Sequence, residues 1–123
     1  MSAKEIGTQL VNFCKEGKNL ESINTLYAEN VESIEAAAPP SGERIAKGIE
    51  AVRGKNQWWG ENHEVHSSSV SGPYPHGEDR FAVRFEYDIT NKPSGQRMKM
   101  DEVGIFTVES GKIVREEFFY DMG

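Results

Sequence analysis

A single cysteine, Cys14, stands among 123 residues, so this chain cannot be stapled by an internal disulfide, nor can it form a multi-thiolate zinc cage by itself. Long apolar runs are also missing. Nothing approaches the roughly 18 to 20 residues that span a bilayer, and Met1-Ser2-Ala3-Lys4-Glu5 does not open a secretory leader. Positive charge is scarce, with 14 Lys and Arg against 20 Asp and Glu and a net charge of −6. The basic footprint that neutralises phosphates or docks on an anionic membrane is therefore absent. There is no glycine-rich phosphate cradle, no Gly-x-Ser-x-Gly elbow and no Cys-His pair at nucleophile spacing, which leaves covalent catalysis and nucleotide dependence without support. His63-Glu64-Val65-His66 is one residue short of the His-Glu-x-x-His spacing, and on a strand the two imidazoles point to opposite sides. The expectation is a cytoplasmic protein without metal, cofactor, nucleic acid or membrane.

What is present is enough for one domain over residues 1–123. With 37% hydrophobic and 28% charged residues, the chain can bury roughly two-thirds of its unfolded surface around one core. Ser2-Ala3-Lys4-Glu5 has capping-box spacing, and Ile6, Leu10, Phe13 and Cys14 recur at helical intervals until Gly17. A helix over 2–16 follows, with Cys14 as a small core residue. Asn19 can cap a second helix carrying Ile23, Leu26 and Tyr27 and ending near Asn30. A short strand over 31–36 is expected next, then an irregular Pro39-Pro40-Ser41-Gly42 segment and a third helix over 49–60.

After Asn62 the period changes from helical to alternating. Residues 63–73 read as a strand running into the loop Tyr74-Pro75-His76-Gly77. Phe81, Val83, Phe85, Tyr87 and Ile89 then mark one buried face of a strand. Asn91-Lys92-Pro93-Ser94-Gly95 turns the chain into a strand over 97–108, and Glu109-Ser110-Gly111-Lys112 turns it again into a last strand over 112–122. Met98, Met100, Glu102, Gly104, Phe106 and Val108 share one face, while Val103 and Ile105 fall on the other. The last strand divides into Val114, Glu116, Phe118 and Tyr120 on one side and Ile113, Arg115, Glu117 and Phe119 on the other. A sheet that is partly apolar on both faces needs a second surface, and a second copy of the chain is the simplest one.

Three N-terminal helices interrupted by one short strand, then a long meander, resemble the SnoaL-like branch of the nuclear transport factor two-like (ketosteroid isomerase-like) superfamily. The pieces that carry the resemblance are Leu26-Tyr27-Ala28-Glu29-Asn30-Val31, Asp101-Glu102-Val103-Gly104-Ile105-Phe106 and Gly111-Lys112-Ile113-Val114-Arg115. The resemblance implies an α+β fold of the cystatin-like kind: a curved, cone-shaped antiparallel or mixed sheet wrapped around three helices as an α+β barrel. It also implies an internal cavity and a homodimer through the outer sheet face. The superfamily holds isomerases, cyclases, dehydratases, epoxide hydrolases and non-catalytic binders, so membership alone does not decide function.

The candidate catalytic residues are Glu35, His63, Glu102 and Glu116. Glu35 stands in the first strand where the resemblance to ketosteroid isomerases implies a proton-abstracting carboxylate, although here Ala36 follows where those enzymes show Pro. The alternative for Glu35 is a solvated carboxylate at a strand end. The Tyr and carboxylic acid of the isomerase oxyanion clamp fall by the same resemblance near Val11 and Gly104, so the clamp is missing and steroid isomerisation is disfavoured. Glu102 and Glu116 lie among large apolar side chains. An isolated buried carboxyl there would have a raised pKa, whereas an arginine partner such as Arg84 or Arg97 would make it structural. His63, at a helix-to-strand junction, is either an acid-base group or a structural histidine. Trp59, Phe85, Tyr87, Phe106, Phe118 and Tyr120 are candidate walls for a small apolar organic ligand, with core or interface as the alternative role. Three readings stay open: a cofactor-independent isomerase, cyclase or dehydratase, a non-catalytic small-molecule binder, and a dimerisation scaffold.

Overall fold

Ser2 and Glu5 reach back to each other at the start of the chain, with Glu5 N–H donating to Ser2 Oγ at 3.2 Å and Ser2 N–H donating to Glu5 Oε1 at 3.3 Å. This reciprocal cap starts α1 (Ala3–Lys15), whose buried stripe is Ile6, Leu10 and Val11. The computed structural model describes residues 2–37 and 43–120. Gly7 lets α1 lie directly on the sheet, because a Cβ there would stand 2.7 Å from Pro73 Cβ and 3.0 Å from the Phe81 ring. Gly17, at φ +72°, closes the helix.

The second helix, α2 (Asn19–Leu26), is capped at Lys18 rather than at Asn19, and it ends four residues before Asn30. Tyr27 instead begins β1 (Tyr27–Ile34) and pairs in parallel with Ile113. Tertiary pairing therefore overrides the helical spacing of Ile23, Leu26 and Tyr27. A three-residue strand, β2 (Ile45–Lys47), has no apolar alternation to announce it and follows β1 antiparallel. The Pro39-Pro40-Ser41-Gly42 segment lies outside the described residues. Next come α3 (Ile49–Asn62), β3 (His63–His76), β4 (Arg80–Asn91), β5 (Arg97–Glu109) and β6 (Lys112–Tyr120). β3 continues through Tyr74 to His76, where a loop was expected. Asp121 and Met122, expected in the last strand, are not among the described residues.

The six strands form one mixed sheet in the order β2-β1-β6-β5-β4-β3, with β1 and β6 parallel and every other pair antiparallel. Among the described residues β2 and β3 do not pair, so the sheet stays open rather than closing into a barrel. Helices cover its inner face. The core there centres on Phe81 and Phe106, stacked at 5.0 Å between ring centroids, with Ile6, Leu10, Leu26, Val31 and Val83. Each of these side chains contributes roughly 1.5 to 3 kcal/mol by leaving water.

Ile113 corrects the expected division of the last strand. Thr107 pairs with Arg115 and Val108 with Ile113, so Val114 is an extra residue in a bulge. One added residue reverses the alternation on its far side. Ile113 accordingly enters the core at 0% exposure instead of facing out, while Glu116, Phe118 and Tyr120 keep the inner face. No helix among the described residues is long and apolar enough to cross a membrane.

Candidate functional site

Between the helices and the inner face of the sheet lies a cavity of about 1720 Å³. Strand alternation decides what enters it. Phe85 of β4, Glu102 of β5 and Tyr120 of β6 stand directly opposite one another in register, and all three border the cavity. One step along the same faces, Tyr87 and Phe118 border the cavity as well. The helices supply the facing wall, with Lys55 and Trp59 one turn apart on α3 and Cys14 on α1.

One polar chain runs through this space. Tyr120 OH donates to Glu35 Oε2 at 2.8 Å, and Lys55 Nζ reaches Glu35 Oε1 at 2.5 Å. The same ammonium donates to Ser33 Oγ at 2.5 Å and lies over the Phe118 ring, 5.2 Å from its centroid. Ser33, which is 0% exposed, hydrogen-bonds Glu116, and Tyr27 OH donates to Glu116 Oε2 at 3.1 Å. Tyr120, Glu35, Lys55, Ser33, Glu116 and Tyr27 thus form a continuous relay linking two carboxyls through one lysine.

Burial governs the protonation of this group. Desolvation pushes Glu116 up from 4.5 to about 7, against the opposing pull of Lys55 and the Tyr27 and Ser33 hydroxyls. Glu102 also rises to about 7, again chiefly by desolvation, with the Glu35 charge adding to it and Lys55 working against it. The Tyr27 phenol is held well above its ordinary value and the Cys14 thiol rises to about 12, in both cases first by burial and then by Glu116. Cys14 therefore stays a neutral thiol at neutral pH. Tyr120 likewise rises to about 12, through burial and its bond to Glu35.

Glu102 differs from the other two carboxyls in having no hydrogen-bond or ion-pair partner among the described residues. The two arginines that could have neutralised it bind elsewhere. Arg84 forks onto Asp101 at 3.0 and 2.7 Å, and Arg97 forks onto Asp88 at 3.0 and 2.9 Å. Asp101, its neighbour in β5, points to the other side of the sheet, as alternation requires.

At another part of the cavity His63 is wedged between the two tryptophans. Its ring stacks on Trp59 at 4.7 Å and meets Trp58 edge-on at 6.1 Å, and Trp59 in turn leans on Tyr87 at 5.4 Å. Nδ1 of His63 lies 2.8 Å from the Trp59 carbonyl, so that nitrogen carries the proton, and Asn91 Nδ2 approaches Nε2 at 3.3 Å. His66 is turned to Thr90 instead, 2.7 Å from its hydroxyl.

All four residues singled out for catalysis border this one cavity, as do the six aromatic wall candidates. Two details differ from expectation. Glu35 lies just beyond the end of β1 rather than within it, and it is held by Lys55 and Tyr120 rather than solvated. Sequence reasoning missed Lys55, Ser33 and Tyr27. A signal for Lys55 existed: Val52, Lys55 and Trp59 recur at helical spacing, which places a lysine in the apolar stripe of α3. Ser33 and Tyr27 carried none, because their roles depend on the pairing of β1 with β6.

The two clamp positions are filled by packing. Val11 is a buried core residue of α1. At Gly104 a Cβ would stand 2.8 Å from Phe106 Cε1 and 3.1 Å from Phe118 Cε1. Glycine there makes room for the edge-to-face Phe106 and Phe118 pair, whose centroids are 6.1 Å apart.

Comparison with known proteins matches residues 1–120 to the model of the SnoaL-like domain. A Mesorhizobium loti crystal structure, provisionally described as a SnoaL-like polyketide cyclase and, in brackets, as a carbohydrate phosphatase, is 45% identical. It superposes with a TM-score of 0.91 over 98% of this chain and 100% of that one. A Bacillus subtilis protein provisionally described as an isomerase is 17% identical, with a TM-score of 0.79 over 98% and 90% of the two chains. An NTF2-like protein of Burkholderia thailandensis is 19% identical, with a TM-score of 0.80 over 98% and 92%. These last two likenesses concern the fold. Comparison with curated proteins returns no match.

Proposed function

The chain belongs to the SnoaL-like family, and from that premise we propose that it binds a small organic molecule in the cavity and acts on it by cofactor-independent acid-base chemistry, with Glu102 transferring the proton. The observation that carries this reading is a carboxyl with no partner among the described residues, bordering the same cavity as Phe85, Tyr87, Phe118 and Tyr120 and raised to about 7. Such a group holds and releases a proton with comparable ease near neutrality, which is the condition for efficient general acid-base transfer. Glu116, also raised to about 7, is a second carboxyl on the same cavity, joined through Ser33 and Lys55 to Glu35. Isomerisation, cyclisation and dehydration of a carbonyl compound all begin with proton transfer of this kind.

The test is exchange of α-protons for deuterium in a panel of small ketones and enones, followed by NMR. Wild-type protein should accelerate exchange in at least one member with a midpoint near pH 7, and Glu102→Gln should lower that acceleration about 10²-fold or more. Acceleration undiminished in Glu102→Gln would overturn the assignment of the proton to this residue.

A specific observation also favours a second reading, a non-catalytic binder. Val11 and the packed Gly104 leave no donors where the isomerase clamp would stabilise an enolate. Ligand binding with no exchange in any panel member would support this reading over the first. In either case we propose that the protein works as a homodimer. Phe119 and Tyr74 are 51% and 55% exposed on the outer sheet face, and Val103 and Ile105 lie between their strands in register.

A further inference from the structure

The cavity already shows how it holds a cation. The Lys55 ammonium is gripped by a carboxylate, Glu35 at 2.5 Å, and by an aromatic face, Phe118 at 5.2 Å from the centroid. Glu102 repeats the combination without a cation paired to it among the described residues. Its direct cross-strand neighbours are Phe85 and Tyr120. Tyr87, whose ring lies 6.2 Å from Phe85 at an interplanar angle of 13°, adds a second nearly parallel face on the same side of the sheet. Side chains directly opposite in a sheet have Cβ atoms roughly 4.5 to 5.5 Å apart, so Phe85, Glu102 and Tyr120 stand side by side on one face. Tyr87, opposite Met100, is one diagonal step away and feels the Glu102 charge.

We infer that the space beside Glu102 accepts the ammonium group of an organic amine, with the carboxylate as counter-ion and the Phe85 and Tyr87 faces as walls. This inference rests on the small-molecule reading above and names its substrate class. An alkylated ammonium suits the place for two reasons. Its charge is attracted by the carboxylate and by the negative faces of the rings, and its methyl groups are apolar enough to lie against them. A ligand with no cationic group would fill the space beside the rings but leave the carboxylate without a counter-ion, whether or not it carries a carbonyl.

The charges facing Glu102 support the same choice. Lys55 from α3 is a cation whose charge acts on Glu102, and it is paired by direct contact with Glu35. Glu116 and Tyr120 face from β6 and Tyr87 from β4, while Cys14 on α1 and His63 at the end of α3 border the same cavity. With Lys55 and Glu35 paired, Glu102 and Glu116 are the carboxyls raised into the neutral range, each at about 7, and Glu43, Asp101, Arg44, Lys47 and Lys99 also border the cavity. The cavity accordingly becomes more negative as pH rises through neutrality, and an ammonium ligand binds more tightly in that direction. Binding also draws Glu102 to its ionised form and releases a proton.

Choline and its uncharged carbon isostere 3,3-dimethylbutan-1-ol have nearly the same shape, so a calorimetric titration with each separates charge recognition from apolar filling. Wild-type protein at pH 8.5 should bind choline about tenfold more tightly than the isostere, as expected for a carboxylate and aromatic cage. That preference should shrink below about twofold at pH 5.5 and in Glu102→Gln, whose folding is verified by circular dichroism. Equal binding of both probes by wild-type protein at pH 8.5, or a preference that persists in Glu102→Gln, overturns the inference. In that event binding of the isostere leaves the small-molecule reading standing. Binding of neither probe overturns the inference and counts against that reading as well. A Phe85→Leu variant should weaken choline about threefold or more while leaving the Glu102 titration in place.

Discussion

Replacing Glu102 by Gln keeps the shape of the side chain and removes its charge, and the result should be a change in how stability depends on pH. Glu102 titrates at about 7 in the fold against an ordinary value of 4.5, chiefly because burial penalises the ionised form. A carboxyl raised in this way binds its proton more tightly in the native state than in the unfolded chain. Stability is therefore undiminished below about pH 4.5, falls as pH rises from there to about 7, and levels off above that. The full penalty is about 3 kcal/mol. Because no hydrogen bond or ion pair among the described residues holds Glu102, the glutamine forfeits none of these partners. Urea denaturation between pH 4 and pH 9 should show wild-type stability declining to about pH 7 and then levelling off, with Glu102→Gln declining by about 3 kcal/mol less. The curves should separate most above pH 7. Parallel curves, or a glutamine variant less stable than wild type at pH 9, would refute the reasoning, since either outcome means the carboxylate is compensated in the fold.

Lys55→Met should raise the pKa values of both Glu102 and Glu116 above about 7, because Lys55 opposes the rise at each. Carboxyl ¹³C NMR titration reads this directly, and an unchanged pair of midpoints would contradict the relay. Gly7→Ala should destabilise by about 1 to 3 kcal/mol in urea denaturation, since its Cβ would press on Pro73 Cβ at 2.7 Å and on the Phe81 ring at 3.0 Å. Sedimentation should give a mass about twice 13.8 kDa, and Phe119→Glu should return the protein to that of one chain by placing a charge in the outer apolar patch. A wild-type monomer at micromolar concentration would overturn the proposed dimer.

Much of the fold was legible because it rests on local rules. The capping box of Ser2 and Glu5, the stop at Gly17 and the Ser110-Gly111 turn are short-range chemistry, and each forms where its residues stand. The alternation of Phe81, Val83 and Phe85 is equally local, since successive side chains of a strand leave opposite faces. The aromatic and carboxylate composition of the inner face followed from the same rule, so Glu102, Glu116, Phe118 and Tyr120 could be placed together before any coordinates.

The rest follows from long-range packing, wherever a residue's environment comes from distant chain. Tyr27 reads as helical by spacing, yet parallel pairing with Ile113 makes it strand and brings its hydroxyl to Glu116, 89 positions away. The bulge at Val114 turns Ile113 inward, and no alternation rule announces where a strand will slip by one residue. Above all, strand alternation puts Glu102 among aromatics but leaves open whether an arginine neutralises it. Arg84 and Arg97 settle on Asp101 and Asp88, and Lys55 settles on Glu35. A carboxyl's proton affinity depends on the sum of all the charges and solvent around it, and that sum exists only once the chain has folded.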